Sequence, residues 1–266
     1  DFGDYNDDGF IDFSILGLNS EGEPITKIIT NSINGFYEQE GHNFKGLFNG
    51  RPTWSDYDND GDLDLLTSGL SSTENGGSDP YSSIYYQNNS TFTIDETSNI
   101  DSLGYSFTQF GDYDNDGDVD LFVSGFNSNS DVVSKVYDNL EALENKNNAP
   151  NKPYNLEIEI NKQDINLAWT APLDVPTEKS YFTKEKGLKY QVQIGSEEDN
   201  KEHNIITGHY GNSKIGTTNL TSKIVKAIPE GNYFWRVKAI DHGLRKSNWS
   251  NEDYFYIDTT PPAVDT

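Results

Sequence analysis

Three nonapeptides in the 266-residue sequence share one frame, with oxygen-bearing side chains at positions 1, 3, 5 and 9 and glycine at position 6: Asp4-Tyr5-Asn6-Asp7-Asp8-Gly9-Phe10-Ile11-Asp12, Asp56 to Asp64, and Asp112 to Asp120. Such a set suits a hard cation. The glycine permits the sharp reversal that folds the oxygens inward, and the carbonyl at position 7 adds a neutral ligand. The expected ligands are Asp4, Asn6, Asp8 and Asp12; Asp56, Asp58, Asp60 and Asp64; and Asp112, Asp114, Asp116 and Asp120. The carbonyls of Phe10, Asp62 and Asp118 complete each set, with water as needed. Ligation by several carboxylates favours calcium over magnesium, which holds its water more tightly and demands a stricter octahedron. Zinc prefers nitrogen or sulfur ligands, which these frames lack.

Asp-Asn-Asp-Gly can also serve simply as a polar turn. Three copies that keep an acceptor at every ligand position argue against that reading, because the crowded carboxylates repel one another without a cation. About three structural calcium ions are therefore expected. The first frame is the weakest, since Asn6 replaces a carboxylate. An EF-hand would need a bidentate Glu at position 12, where this chain has Ile15, Thr67 and Val123. The frames are read as static sites between strands, not as helix-pair sensors.

The elements that must position these loops are short and repeated. Frame starts are separated by 52 and then 56 residues, a period suited to a repeated sheet unit. Each frame is followed by an apolar run that reads as a strand: Phe13 to Gly17, Leu65 to Gly69, and Leu121 to Gly125. Second strands are expected at Ile25 to Thr30, Tyr81 to Tyr86 and Val132 to Tyr137, with shorter ones at Gly35 to Glu38 and Thr91 to Ile94. Phe2, Trp54 and Phe110 occupy matching places ahead of the frames. About four strands per repeat is the expectation for a propeller blade.

The composition is acidic, with a formal net charge of −25 and 44 acidic against 19 basic residues, so the chain should repel nucleic acid and anionic membranes. Part of that excess sits in the frames. Cysteine is absent, which removes disulfides, thiolate metal sites and cysteine catalysis together. No apolar run is long enough for a transmembrane helix. The sequence opens inside a repeat and has no methionine at position 1, which reads as a processed or partial product.

The segment Phe110-Gly111-Asp112-Tyr113-Asp114-Asn115-Asp116-Gly117-Asp118-Val119-Asp120-Leu121-Phe122 resembles the FG-GAP repeat of integrin-α-type propellers and of related secreted bacterial proteins. Phe2-Gly3-Asp4 keeps the pattern, while Trp54-Ser55-Asp56 departs from it. The resemblance covers residues 1 to about 140 and implies calcium in a β-propeller, secretion or surface display, and roles in adhesion or presentation. A closed propeller needs about four to eight blades, and residues 1–148 supply two to three. The remaining blades would precede Asp1 or come from another chain.

A polar, Asn- and Pro-rich stretch, Glu144 to Pro153, marks the domain boundary. Beyond it, residues 149–258 alternate as a β-sandwich. Ile165, Leu167 and Trp169 face one side, as do Leu188, Tyr190, Val192 and Ile194, and Tyr233, Trp235, Val237 and Ala239; Phe234, Arg236 and Lys238 face the other. Pro153 with Leu156, Leu167-Ala168-Trp169, Tyr190-Gln191-Val192 and Ile228 to Ala239 resemble a fibronectin type III domain, in which Trp169 would be the core tryptophan and Tyr233 the corner tyrosine. Residues 259–266 read as a linker. Trp249 is expected to pack at a strand start, with a sugar platform or a stack against Arg245 as alternatives. The fold class is all-β.

No nucleophile elbow, phosphate loop or dinucleotide fingerprint is present, and His42, His203, His209 and His242 form no metal-ligand spacing. A glycosidase needs two carboxylates, but the clustered ones are assigned to metal. The expectation is a non-catalytic, calcium-stabilised extracellular module for adhesion, surface assembly or glycan binding, whose partner is a protein or polysaccharide. The alternative is an accessory region of a secreted polysaccharide-degrading enzyme.

Overall fold

The computed structural model describes residues 1–114, 118–139, 148–172, 187–196, 204–206, 217–218 and 220–260. The expected ligand Asp116, the histidines His203 and His209, Glu144 to Asn147 of the boundary stretch, and residues 261–266 of the linker lie outside them. Every regular element among the described residues is a β-strand, and no helix is long and apolar enough to cross a membrane. The chain divides into two compact units, with a boundary between Asn148 and Ala149; the short segment His242–Arg245 groups with the first.

The first unit holds three antiparallel sheets, each a meander in chain order. Strands β1 (Phe2–Gly3), β2 (Asp12–Leu18), β3 (Pro24–Thr30) and β4 (Tyr37–Glu38) form the first. The second is β5 (Phe48–Ser55), β6 (Asp64–Ser72), β7 (Ser78–Asn88) and β8 (Thr91–Ile94). The third is β9 (Gly104–Gly111), β10 (Asp120–Phe126) and β11 (Val132–Tyr137). Each Asp frame lies between two adjacent strands of its sheet. The expected strand from Gly35 shrinks to Tyr37–Glu38, because Ser32 and Gly35 exchange backbone hydrogen bonds and Gly35 takes a left-handed φ of 103° to close a turn.

Side chains alternate between the two faces of a strand, so each sheet has a front face, marked by Phe13, Leu65 and Leu121, and a back face, marked by Ser14, Leu66 and Phe122. The back of the first sheet packs on the front of the second, where Ile28 and Tyr5 meet Leu65, Tyr85 and Trp54. The back of the second packs on the front of the third, where Leu66 and Ile84 meet Leu121 and Val123. Thr53 and Thr108 share a hydrogen bond across this second junction. Gly3 is small for a reason: a Cβ there would lie 2.9 Å from Leu63 Cδ1 and 3.2 Å from the Trp54 ring, which the next sheet lays over it. Both faces of the second sheet are therefore buried.

In the second unit, β12 (Tyr154–Asn161) and β13 (Asp164–Thr170) form a sheet with the later β17 (Ser222–Val225). Strands β14 (Lys189–Ser196), β15 (Asn204–Ile206), β16 (Thr217–Thr218), β18 (Gly231–Ile240) and β19 (Asp253–Ile257) form the other. One core joins the two sheets, from Ile165, Leu167 and Trp169 on one side to Tyr190, Val192 and Trp235 on the other. Tyr233 donates its hydroxyl to the carbonyl of Pro229 at 3.0 Å, closing a corner before β18 runs on. Phe234, expected to face outward, is fully buried: Arg236 covers its ring at 5.9 Å, and its cross-strand neighbour on β14 is the small Gly195.

Leu66→Ala should open a cavity between the second and third sheets and cost about 2–5 kcal/mol in urea unfolding. Ile160→Ala, at the 43% exposed end of the face of β12 that carries Ile158, should cost clearly less, about 1 kcal/mol or below.

Candidate metal centre

Strand register builds the loops. Gly3 pairs with Asp12, Ser55 with Asp64 and Gly111 with Asp120, so the residue before each frame is hydrogen-bonded to its last. Carboxylates at positions 1 and 9 are thereby forced together. Within the turn, position 4 takes a left-handed conformation, with φ of 53° at Asp7 and 58° at Asn59, types that tolerate it. Position 6 follows with φ of 92° at Gly9 and 94° at Gly61, where a side chain would be strained.

Backbone amides turn inward onto the carboxylates. The position 6 amide donates to the position 1 carboxylate, Gly9 to Asp4 at 2.9 Å and Gly61 to Asp56 at 3.1 Å. The position 9 carboxylate accepts at least two amides in every copy. Asp12 takes those of Tyr5 and Asn31, Asp64 those of Tyr57 and Gln87, and Asp120 those of Tyr113 and Asn139. This residue type at this place ties the loop to the end of the second strand, a structural role beyond the ligand role expected of it.

Two sets of expected ligands converge. One oxygen from each of Asp56, Asp58 and Asp64, and likewise from Asp112, Asp114 and Asp120, lie within 4.8 Å of one another. Asp60 stands outside the second group and accepts the Asp62 amide at 2.9 Å, while the Asp62 carboxylate accepts the Asn89 amide at 3.1 Å. The first frame makes no such group among the described residues. There Asn6 donates its side-chain amide to Asp8 at 3.2 Å, and Asp8 accepts the Phe10 amide at 2.8 Å. Asp118, at position 7 of the third frame, is buried.

The electrostatics fit a cation. Asp56 and Asp64 are 2% and 1% exposed, and both titrate well above the ordinary carboxylate range because burial penalises their charge and neighbouring carboxylates add to it. Burial also raises Asp58. It lifts Asp60 and Asp4 to about 7 and Asp12 to about 6, with like charges adding in each case. Asp56 Oδ1 and Asp112 Oδ1 are buried and accept no hydrogen bond from any described residue. A buried carboxylate oxygen without a hydrogen bond beside two further carboxylates is satisfied either by taking up a proton or by a positive charge next to it.

Residues outside the frames complete the loops. Gln87 donates its side-chain amide to the Tyr5 carbonyl at 2.9 Å, and Asn139 donates to the Tyr57 carbonyl at 2.7 Å. Each is an amide residue at the end of, or just beyond, the strand that follows the one leaving its own frame, and it grips the frame of the repeat before it. Asn31 holds the same place in the first repeat. The signal in the sequence was this recurring amide, which spacing alone does not connect to a loop in a different repeat.

Arg236, at 4.7 Å, and Lys238, at 4.2 Å, both on β18, lie over the Trp249 ring. His42 packs against Phe44 and Phe92 at 5.3 and 5.0 Å, and burial lowers its pKa, so it serves the aromatic cluster.

Residues 56–123 match the FG-GAP-like repeat family. No curated protein sequence matches the chain. Among solved structures, the third fibronectin III domain of the human KIAA0343 protein is similar at 16% identity and a TM-score of 0.28, over 46% of this chain and 94% of that one.

Because the loop carboxyls titrate higher in the fold than in the unfolded chain, protonation favours the fold. Their stabilising effect is complete below the ordinary value of 3.8 and is lost as pH rises through about 6 to 7. In chelator, the thermal midpoint of the first unit should therefore fall as pH climbs across that window. Differential scanning calorimetry at a series of pH values checks it; a midpoint that rises over the same interval contradicts the assignment.

Proposed function

We propose that the chain is a non-catalytic, calcium-stabilised extracellular module that serves adhesion, surface assembly or glycan binding. Convergence of three carboxylates in each of the second and third loops carries this reading. Asp56, Asp58 and Asp64 would hold one ion and Asp112, Asp114 and Asp120 another, with Asp60, Asp116 and the carbonyls of Asp62 and Asp118 completing the sets. Asp4, Asn6, Asp8, Asp12 and the Phe10 carbonyl would form a third, weaker site. Bound calcium supplies positive charge to groups that burial otherwise drives to protonate.

The FG-GAP-like match at residues 56–123 supports an extracellular β-rich setting, and the three stacked four- or three-stranded sheets support blades of a propeller. The two-sheet second unit, with Trp169 in its core and Tyr233 at its corner, supports a fibronectin type III-like spacer. Secretion or surface display follows from the same reading, since abundant extracellular calcium suits static sites.

Millimolar calcium should raise the thermal midpoint of the chelated protein, by an amount equivalent to about 2.7 kcal/mol per site at a hundredfold excess over the dissociation constant. Asp56→Asn distinguishes a ligand from a turn residue. Removing one buried like charge should stabilise the metal-free protein while reducing its response to calcium. No response of the parent protein to calcium, or an Asn variant that is merely destabilised with its calcium response intact, would sink the metal reading. Polysaccharide turnover that depends on a carboxylate outside the three loops would overturn the non-catalytic one.

A further inference from the structure

In the second unit, β19 pairs with β18 only as far as Trp235, and the segment 246–250 takes over the edge that remains. Ser250 gives its N–H to the Val237 carbonyl at 2.8 Å and receives the Val237 N–H on its hydroxyl at 3.0 Å. Ser247 does the same with Ala239, at 2.9 Å in both directions. Lys246 faces Ile240 across an antiparallel bridge, so its side chain shares the outer face of the sheet with Arg236 and Lys238. Trp249 is brought to the same face, where it holds the heads of Arg236 and Lys238 over its ring.

Three cations are thus gathered on one surface. Arg236 is ion-paired with Glu252 at 3.2 Å, whereas Lys238 and Lys246 make no ion pair among the described residues. Burial, and after it the charges of Lys246 and Arg236, hold Lys238 below the ordinary lysine value. Such crowding of positive charge runs against a chain that has 44 acidic and only 19 basic residues. Two rings continue the face. Tyr254 stands opposite Phe234 and Tyr256 opposite Asn232, so both lie on the side of Arg236, and they are 51% and 50% exposed.

We propose that this outer face of the second unit binds an acidic polysaccharide, with Arg236, Lys238 and Lys246 receiving its carboxylate or sulfate groups and the rings of Tyr254 and Tyr256 taking its sugar faces. The proposal rests on the glycan-binding arm of the function given above, to which it adds a ligand class and a place. A nucleic acid duplex, with one charge about every 1.7 Å, is repelled by the net charge of −25. An acidic polypeptide answers the cations alone, while a sugar ring also offers an apolar C–H face to an exposed aromatic. At about 0.15 M salt, charges beyond about 8 Å are screened, so an anion on this face is governed by the three cations beside it.

Biolayer interferometry of the whole chain over immobilised hyaluronan, dextran sulfate and neutral dextran tests the site. At least one of the two acidic polymers should bind and neutral dextran should not; which of the two binds separates a carboxylate from a sulfate ligand. Lys238→Gln and Lys246→Gln should each weaken binding about fivefold, and Tyr254→Ala should weaken it as well. Lys246 and Tyr254 are exposed, so these two variants leave the core intact, and the circular dichroism of the parent chain checks that they have folded. No binding to either acidic polymer, equal binding to neutral dextran, or binding indifferent to Lys246→Gln or to Tyr254→Ala overturns the proposal. Poly-glutamate bound as tightly as the polysaccharides overturns it too and gives the face to an acidic protein. A chain that responds to calcium but binds no acidic polymer loses this site and keeps the calcium-stabilised module; binding through Lys246 without a calcium response does the reverse.

Discussion

The pairing of Gly3 with Asp12, Ser55 with Asp64 and Gly111 with Asp120 is the constraint from which the first unit follows. Once the strands on either side of a nine-residue frame are hydrogen-bonded neighbours, its first and last carboxylates must sit side by side. They cannot separate without unpairing the sheet. Inward-turned amides offset part of the resulting repulsion, at least two to each last carboxylate. Burial above all, and then the repulsion that the amides leave uncompensated, raises the pKa values of Asp56, Asp60 and Asp64.

The same loops are joined through the stack by single residues. Gln87 gives its backbone N–H to Asp64 in the second loop and its side-chain amide to the Tyr5 carbonyl in the first. Asn139 repeats this, with its N–H on Asp120 and its side chain on the Tyr57 carbonyl. A continuous run of hydrogen bonds thus passes from the first loop to the third. Loop charge and sheet packing are coupled by these bonds, because a sheet that slid on its neighbour would pull the amide from the carbonyl it satisfies, at a cost of about 1–3 kcal/mol for each buried group left unpaired.

The strands were legible in the sequence because their code is local. Alternation marks β13, β14 and β18, and the frames fix where β2, β6 and β10 begin. What was not legible is what crosses between repeats. Gln87 and Asn139 each reach a carbonyl 82 residues away, and no window of sequence contains both partners. Phe234 failed for a related reason: period-2 reasoning gives the face of a strand but not what lies over that face, and Arg236 lies over this ring. The ligand positions were legible as a pattern, while the standing of Asp60 outside the converged group depends on the turn's own hydrogen bonds.

One substitution separates the first loop from the others. Where the second loop has Asp58 beside Asp60, whose carboxyl it helps to raise, the first has Asn6 beside Asp8. The amide of Asn6 donates to the Asp8 carboxylate at 3.2 Å, so a contact that would be repulsive becomes attractive without any ion. The turn then holds its shape by internal hydrogen bonds, and its carboxylates do not gather as those of the other loops do. Exchanging a carboxylate for an amide at position 3 thus moves a loop from one that needs an external charge toward one that partly satisfies itself. On the calcium reading, the three loops form a graded series in which the first has the least to gain from the ion.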